Sequence, residues 1–212
     1  MVKAPISFIS VAYGNGYAKY VPQWWQKIQE MSPQPQEIIM VHNPNDQTGV
    51  KNLPITLIED TSNNLTKMHN IGFRSATQPW MCSVSLDDWH YPNSLQTIDS
   101  LVDKYDFIGA NSKTASNQDF TSNLERIRER HCHVRGMSVF SKRIFDQVDG
   151  WPEEIYWSDF AFWWKILKAG AKQDPNRFVH TFIDDTKPDS IERGAPSWAN
   201  SQMDKFMNDN PL

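Results

Sequence analysis

The first half of this chain alternates apolar runs with amphipathic helical stretches, and the runs end in polar turns. Ile6-Ser7-Phe8-Ile9-Ser10-Val11-Ala12 is almost continuous in apolar or small residues, the pattern of a strand buried on both faces. Tyr13-Gly14-Asn15-Gly16 breaks it. The glycines allow a tight turn, but their spacing is not the dinucleotide fingerprint. Val21, Trp24, Trp25, Ile28 and Met31 then recur at spacings of three and four and predict a helix with an apolar stripe. Pro33 and Pro35 end it. Glu37 to Val41 and Ile55 to Ile58 read as further strands. Asn63 and Asn64 cap a predicted helix from Leu65 to Ala76. After Pro92, the positions Leu95, Ile98, Leu101, Val102 and Tyr105 predict another helix, and Phe107 to Ala110 another strand. This order specifies an α/β domain with a mostly parallel central sheet flanked by helices and right-handed crossovers. Ligands of such sheets sit beyond the carboxyl ends of the strands. The turns at Tyr13, Asn43 and Asp87 all fall at that end.

The stretch Trp80-Met81-Cys82-Ser83-Val84-Ser85-Leu86-Asp87-Asp88-Trp89-His90-Tyr91-Pro92 ends a small, apolar run in two adjacent carboxylates. Magnesium and manganese are commonly held by one or two carboxylates together with a substrate's phosphates. Aspartates also cap turns before helices, and both readings stand at this point.

The second half is less regular. Residues 111–123 are polar and read as a loop. Leu124 to Arg135 carries Arg126, Arg128, Arg130 and Arg135 beside Glu125 and Glu129, the pattern of a solvated helix face. Arg135, which abuts Gly136, is the candidate phosphate contact. His131-Cys132-His133 lacks a second ligand pair at zinc spacing. Met137 to Phe140 is strand-like, and Lys142 to Val148 a short helix stopped at Asp149-Gly150. A further helix runs from Asp159 to Gly170, and an aspartate at a helix start is most often a cap. Phe178 to Phe182, with His180, reads as a last strand. A polar tail from Asp184 holds a short helix over 197–207.

The 212 residues carry a net charge of −4, which gives no support to a nucleic-acid duplex as obligate partner. Two cysteines form no disulfide framework, no run is long enough to span a bilayer, and the start lacks a signal-peptide pattern. A soluble cytoplasmic protein is the simplest expectation. The nine tryptophans supply core and also flat rings suited to sugars and bases.

Three separated patches resemble, in order and rough spacing, the family 2 glycosyltransferases of the nucleotide-diphospho-sugar (GT-A) fold. The first is Ile6 to Ile28. The second is Asn70-Ile71-Gly72-Phe73-Arg74-Ser75-Ala76 running into Asp87-Asp88 and Pro92. The third is Val148-Asp149-Gly150-Trp151-Pro152-Glu153 followed by Ser158-Asp159-Phe160 to Ala169-Gly170. The resemblance implies one domain over 1–212, with a donor half (1–111), an acceptor half (112–183) and a tail (184–212). It implies inverting transfer from a nucleotide-diphosphate sugar, with UDP-sugar the expected donor, to an acceptor hydroxyl. Glycan, lipid-linked sugar, protein and modified nucleic-acid base all remain as acceptors. The implied metal is Mn2+ or Mg2+, held by Asp87 and His180. The implied donor contacts are Ala12, Tyr13, Asn43, Asn70, Asp88 and Arg135, and the implied general base is Asp159. Trp89, Trp151 or Trp157 would supply a stacking wall.

The departures are specific. Aligned on Pro92, Ser85 takes the first acidic place and Asp87 the last; aligned on Leu86, Asp87 takes the first place and Trp89 the last. His42-Asn43 stands where an aspartate usually meets the nucleobase, and Ser158 replaces the first acid of the acceptor motif. A nucleotidyltransferase of the same fold is an alternative, weakened because the turn after the first strand has no basic residue before Lys19. A carbohydrate-binding relative without transfer activity is the other.

Overall fold

The computed structural model describes residues 3–46, 49–130, 134, 137–176, 179–183 and 196–212. Its centre is β1 (Lys3–Ala12), flanked by two parallel neighbours, β2 (Gln34–His42) and β4 (Trp80–Ser83). β3 (Thr56–Glu59) extends the parallel side beyond β2. Beyond β4 the sheet turns antiparallel, because β9 (Val139–Ser141) pairs with β4 and β6 (Phe107–Ile108) with β9. The six-stranded order is β3-β2-β1-β4-β9-β6. The near-continuous apolar composition of β1 reflects cover on both faces. Ile9, Ile39, Met81 and Phe140 face one core, and Phe8, Met40, Trp80, Cys82 and Val139 the other.

The helices follow the expected stripes. α1 (Val21–Gln29) buries Val21, Trp24 and Ile28. α2 (Leu65–Ser75) starts at Asn64, whose side chain accepts from Lys67 N–H at 2.9 Å. It lies so close to β1 that a Cβ on Gly72 would come within 2.6 Å of Ile9 Cγ2. α3 (Lys142–Val148) is capped by the Ser141 hydroxyl, which accepts from Ile144 N–H at 3.2 Å. α4 (Ser158–Lys168) is apolar almost all round and buries Phe160, Phe162, Trp163, Trp164, Ile166 and Leu167. α5 (Trp198–Asp209) packs Ala199, Met203 and Met207 inward.

A second, four-stranded sheet has the order β5-β10-β7-β8. It comprises β5 (Trp89–His90), β7 (Ala110–Thr114), β8 (Asp119–Thr121) and β10 (Val179–Ile183). β10 runs parallel to β7 and antiparallel to β5.

Three local expectations change. The stretch after Pro92 is a series of turns with one 3-10 turn, Ile98–Leu101, instead of an α-helix. Its buried positions Leu95, Ile98 and Leu101 recur strictly every third residue, which is 3-10 spacing. The predicted loop over 111–123 contains the β7–β8 hairpin, turned at Asn117 with φ of 63°. The charged stretch after Leu124 forms a 3-10 turn, Glu125–Glu129, with Arg126–Glu129 and Arg128–Glu125 ion pairs, while Leu124 and Ile127 are fully buried.

Candidate active site

The acidic turn is held at both ends by the core. Val84 and Leu86 are buried, while Ser85 is exposed and Asp87 half-buried in the turn that follows. Val84 N–H donates to the Ile9 carbonyl at 2.8 Å, and the Ser10 hydroxyl donates to the Val84 carbonyl at 2.5 Å. Asp88 N–H closes a turn onto the Ser85 carbonyl at 3.3 Å. Downstream, His90 is 2% exposed, stacks on Phe8 at 4.8 Å and lies 3.7 Å from the Cys82 sulfur. Burial pushes the His90 imidazole down to about 4 and the Cys82 thiol well up, so both are neutral anchors. Between these anchors Asp87 and Asp88 are half-buried.

The N-terminal half of α2 connects every part of the site. At its entry, Asn63 accepts from the Asn43 amide at 2.9 Å, and Asn43 in turn accepts from Asn45 N–H at 3.0 Å. Tyr13 packs beside Leu65 and Met68. One step on, the Thr66 and Ser158 hydroxyls meet at 2.9 Å, which joins α2 to the start of α4. One turn later, His69 Nε2 lies 3.2 Å from the Ser83 hydroxyl, and its Nδ1 3.0 Å from the Leu65 carbonyl. Burial holds the His69 imidazole down at about 4. Residues 66, 69 and 70 share one helix face by their spacing.

Asn70 completes the series. Its amide nitrogen donates to the Trp151 carbonyl at 2.8 Å and to Glu153 Oε1 at 2.9 Å, while its oxygen accepts from Trp151 N–H at 2.9 Å. The side chain expected at the donor is thus 1% exposed and engaged with the 150–153 loop. Gly150, at φ of 68°, is needed there, since a Cβ would come within 2.6 Å of Asn70 Oδ1. Lys165 Nζ donates to the Gly150 carbonyl at 3.0 Å from the other side.

Asp159 stands exposed in the first turn of α4. Its Oδ1 accepts from Phe160 N–H at 2.7 Å, which orients the carboxylate. Ala12 is fully buried at the end of β1, paired with His42, so only its backbone remains for a ligand. The turn after it is tied by Asp46, which accepts from Gly14 N–H at 2.6 Å. His180 is exposed on β10, where its carbonyl accepts from Tyr91 N–H at 3.0 Å. The register Phe182↔Trp89 and Thr181↔His90 places His180 opposite Tyr91, about 10 Å along the strand from Asp88. Among the described residues no three His, Cys, Asp or Glu side chains cluster for a metal. Arg135 and the His131-Cys132-His133 run lie outside the described residues.

The aromatic candidates separate clearly. Trp151 is core, edge-on to His69, Phe73 and Phe162. Trp89 stacks on Phe182 at 4.3 Å. Trp157 is half-buried, with its Nε1 donating to Asn200 Oδ1 at 3.2 Å. Thr66 and His69 are not among the candidates that the sequence offers, and Asn63 is read there only as a cap; polar residues three apart on an otherwise apolar helix face are the signal that could have found Thr66 and His69.

No protein-family model matches the sequence, and no curated protein sequence is significantly similar to it. Solved structures are similar in fold. TarS 1–349 of S. aureus in complex with UDP-GlcNAc superposes over 97% of this chain and 64% of its own, at 16% identity and a TM-score of 0.68. The same TarS fragment in another crystal structure superposes over 87% and 59%, at 18% identity and a TM-score of 0.61. The mannosyltransferase PcManGT from Pyrobaculum calidifontis, in complex with GDP-Man and Mn2+, superposes over 92% and 60%, at 13% identity and a TM-score of 0.64. The chain thus spans roughly three fifths of the length of these structures. Among the described residues no helix is long and apolar enough to cross a membrane. With its mixed six-stranded sheet, its acidic turn after β4 and these neighbours, the chain has a GT-A-like glycosyltransferase fold.

Proposed function

We propose that this chain transfers a sugar from a nucleotide-diphosphate donor to an acceptor hydroxyl. The observation that carries the reading is the α2 bridge. Thr66 touches the residue beside Asp159, and His69 touches Ser83 at the root of the acidic turn. Two carboxylate elements from distant parts of the sequence thereby flank one helix face at the carboxyl end of the sheet.

In this reading Tyr13, Asn43 and the backbone of Ala12 line the nucleobase and ribose end, and Asp88 completes the donor contacts. Asp87 and His180 are the candidate protein ligands of a divalent cation, Mn2+ or Mg2+, and Arg135 is the candidate contact to the diphosphate. When bound, such an ion supplies neutralisation of the charge that develops on the departing diphosphate. Asn70 acts as a brace, holding the loop before α4 in place. Asp159 accepts the proton of the acceptor hydroxyl. That oxygen forms the new bond to the anomeric carbon as the bond to the diphosphate oxygen breaks, with inversion of the centre. A UDP-sugar is the first donor to test, and GDP-mannose the second, because neighbours of this fold were crystallised with UDP-GlcNAc and GDP-Man.

The test is a panel of nucleotide-sugars with and without manganese, read by thermal shift and by hydrolysis of the donor. Stabilisation by one donor with slow, metal-dependent hydrolysis supports the reading. Stabilisation without any hydrolysis or transfer indicates a binding module, and no response to any nucleotide-sugar removes the proposal.

A further inference from the structure

Few large apolar side chains of the described residues are exposed, and Trp198 is the most open of them at 55%. It is the first residue of α5. Its ring meets Tyr156 edge-on at 5.6 Å, and Tyr156 meets Trp157 edge-on at 5.0 Å. This row is fixed from below. Tyr156 N–H donates to Gln202 Oε1 at 2.9 Å, Gln202 donates to the Glu154 carbonyl at 2.8 Å, and Trp157 donates to Asn200. The polar side chains of α5 thus hold the loop before α4 and set the aromatic rings in one place.

The location gives the row its meaning. Trp157 directly precedes α4, and Tyr156 stands three residues before Asp159, so its Cα is within about 11 Å of that of Asp159. The row therefore stands on the segment that carries the proposed general base, which in the transferase reading is the acceptor side.

We propose that Trp198, with Tyr156 beside it, is a stacking platform for a saccharide acceptor. A pyranose presents an apolar C–H face and a polar rim of hydroxyls. A rigid aromatic ring with an open face and polar neighbours is complementary to both. A single exposed indole is far smaller than the contiguous apolar patches that mark protein interfaces, which favours a small ligand over a protein. The word acceptor rests on the transferase reading above; the saccharide platform itself does not.

The experiment titrates the protein with cellobiose, maltose and N,N′-diacetylchitobiose, followed by tryptophan fluorescence and saturation-transfer NMR. Trp198 is exposed, so Trp198→Ala is expected to fold with an unchanged circular dichroism spectrum. At least one disaccharide is expected to bind the unmodified chain, about tenfold more weakly to Trp198→Ala and nearly normally to Trp198→Tyr. Donor hydrolysis in the absence of acceptor should be the same in all three proteins. Silence of all three sugars up to about 10 mM would overturn the platform, as would equal binding by Trp198→Ala. Weaker nucleotide binding in Trp198→Ala, with sugar binding unchanged, would overturn it in favour of a nucleobase contact. Sugar binding by a chain that hydrolyses no nucleotide-sugar would retain the platform and remove the transferase.

Discussion

The Thr66 and Ser158 hydroxyls lie 2.9 Å apart, although 92 residues separate them in sequence. This contact fixes the first turn of α4 against the first turn of α2, and so sets Asp159 relative to the strand ends. The Ser158 hydroxyl thus has a structural use. It makes a neutral joint where a carboxylate would face a hydroxyl and a neighbouring aspartate.

Asp159→Asn keeps the shape and an oxygen for the hydrogen bond to Phe160 N–H but removes the carboxylate proposed as the proton acceptor. Transfer is expected to fall by about 10²- to 10⁴-fold, the usual worth of a general base. Donor affinity and thermal midpoint should stay unchanged. Turnover near the original rate in a quenched-time-course assay would take Asp159 out of that role.

Asp87→Ala is expected to abolish the manganese-dependent part of donor binding. In calorimetry the unmodified chain should lose donor affinity when EDTA is added, while the variant should be indifferent to metal. A variant that still gains affinity from manganese would place the cation elsewhere.

The brace at Asn70 predicts a stability effect. Asn70→Ala leaves the Trp151 N–H and carbonyl without their buried partner, a loss of about 2–4 kcal/mol. Gly150→Ala forces a side chain into the left-handed region against Asn70 Oδ1 and is expected to cost about 1–3 kcal/mol. The two changes combined should cost less than their sum, because the clash loses its partner. Urea unfolding of the four proteins decides this; strict additivity would separate the two positions.

His69 and His90 give stability a pH dependence of known sign. Both are held at about 4, below the usual imidazole value near 6.5. Above about pH 6.5 they are neutral in both folded and unfolded chains, and their contribution is complete. As pH falls from 6.5 to 4 the unfolded chain takes up protons first, so stability drops by up to roughly 3 kcal/mol for each residue. His69→Gln should flatten the slope of unfolding free energy in this window. An unchanged slope would mean that His69 takes up its proton over the same pH range in the folded and unfolded chains.

The strands and helices around β1 were legible because their signals are local. The apolar runs, the Asn64 cap and the Gly170 stop mark real boundaries to within a residue or two. The stretch after Pro92 misled, since three-residue spacing satisfies helical and 3-10 turns alike until hydrogen bonds choose between them. The β7–β8 hairpin was hidden by its polar composition. The acidic turn could be picked out from residue types alone, but not its anchoring by Leu86 and His90, nor the role of Asn70. Those depend on partners 81 to 83 residues away, which spacing within one segment does not encode.

In the smaller sheet β10, the last of the described strands, lies between β5 and β7, which are made much earlier. On the ribosome, the parallel half through β4 can assemble while Trp89 and His90 still wait for a neighbour. Nascent chains arrested before Val179 should therefore carry the sheet with Val84 and His90 already seated on β1, while Trp89 still lacks its stacking partner Phe182.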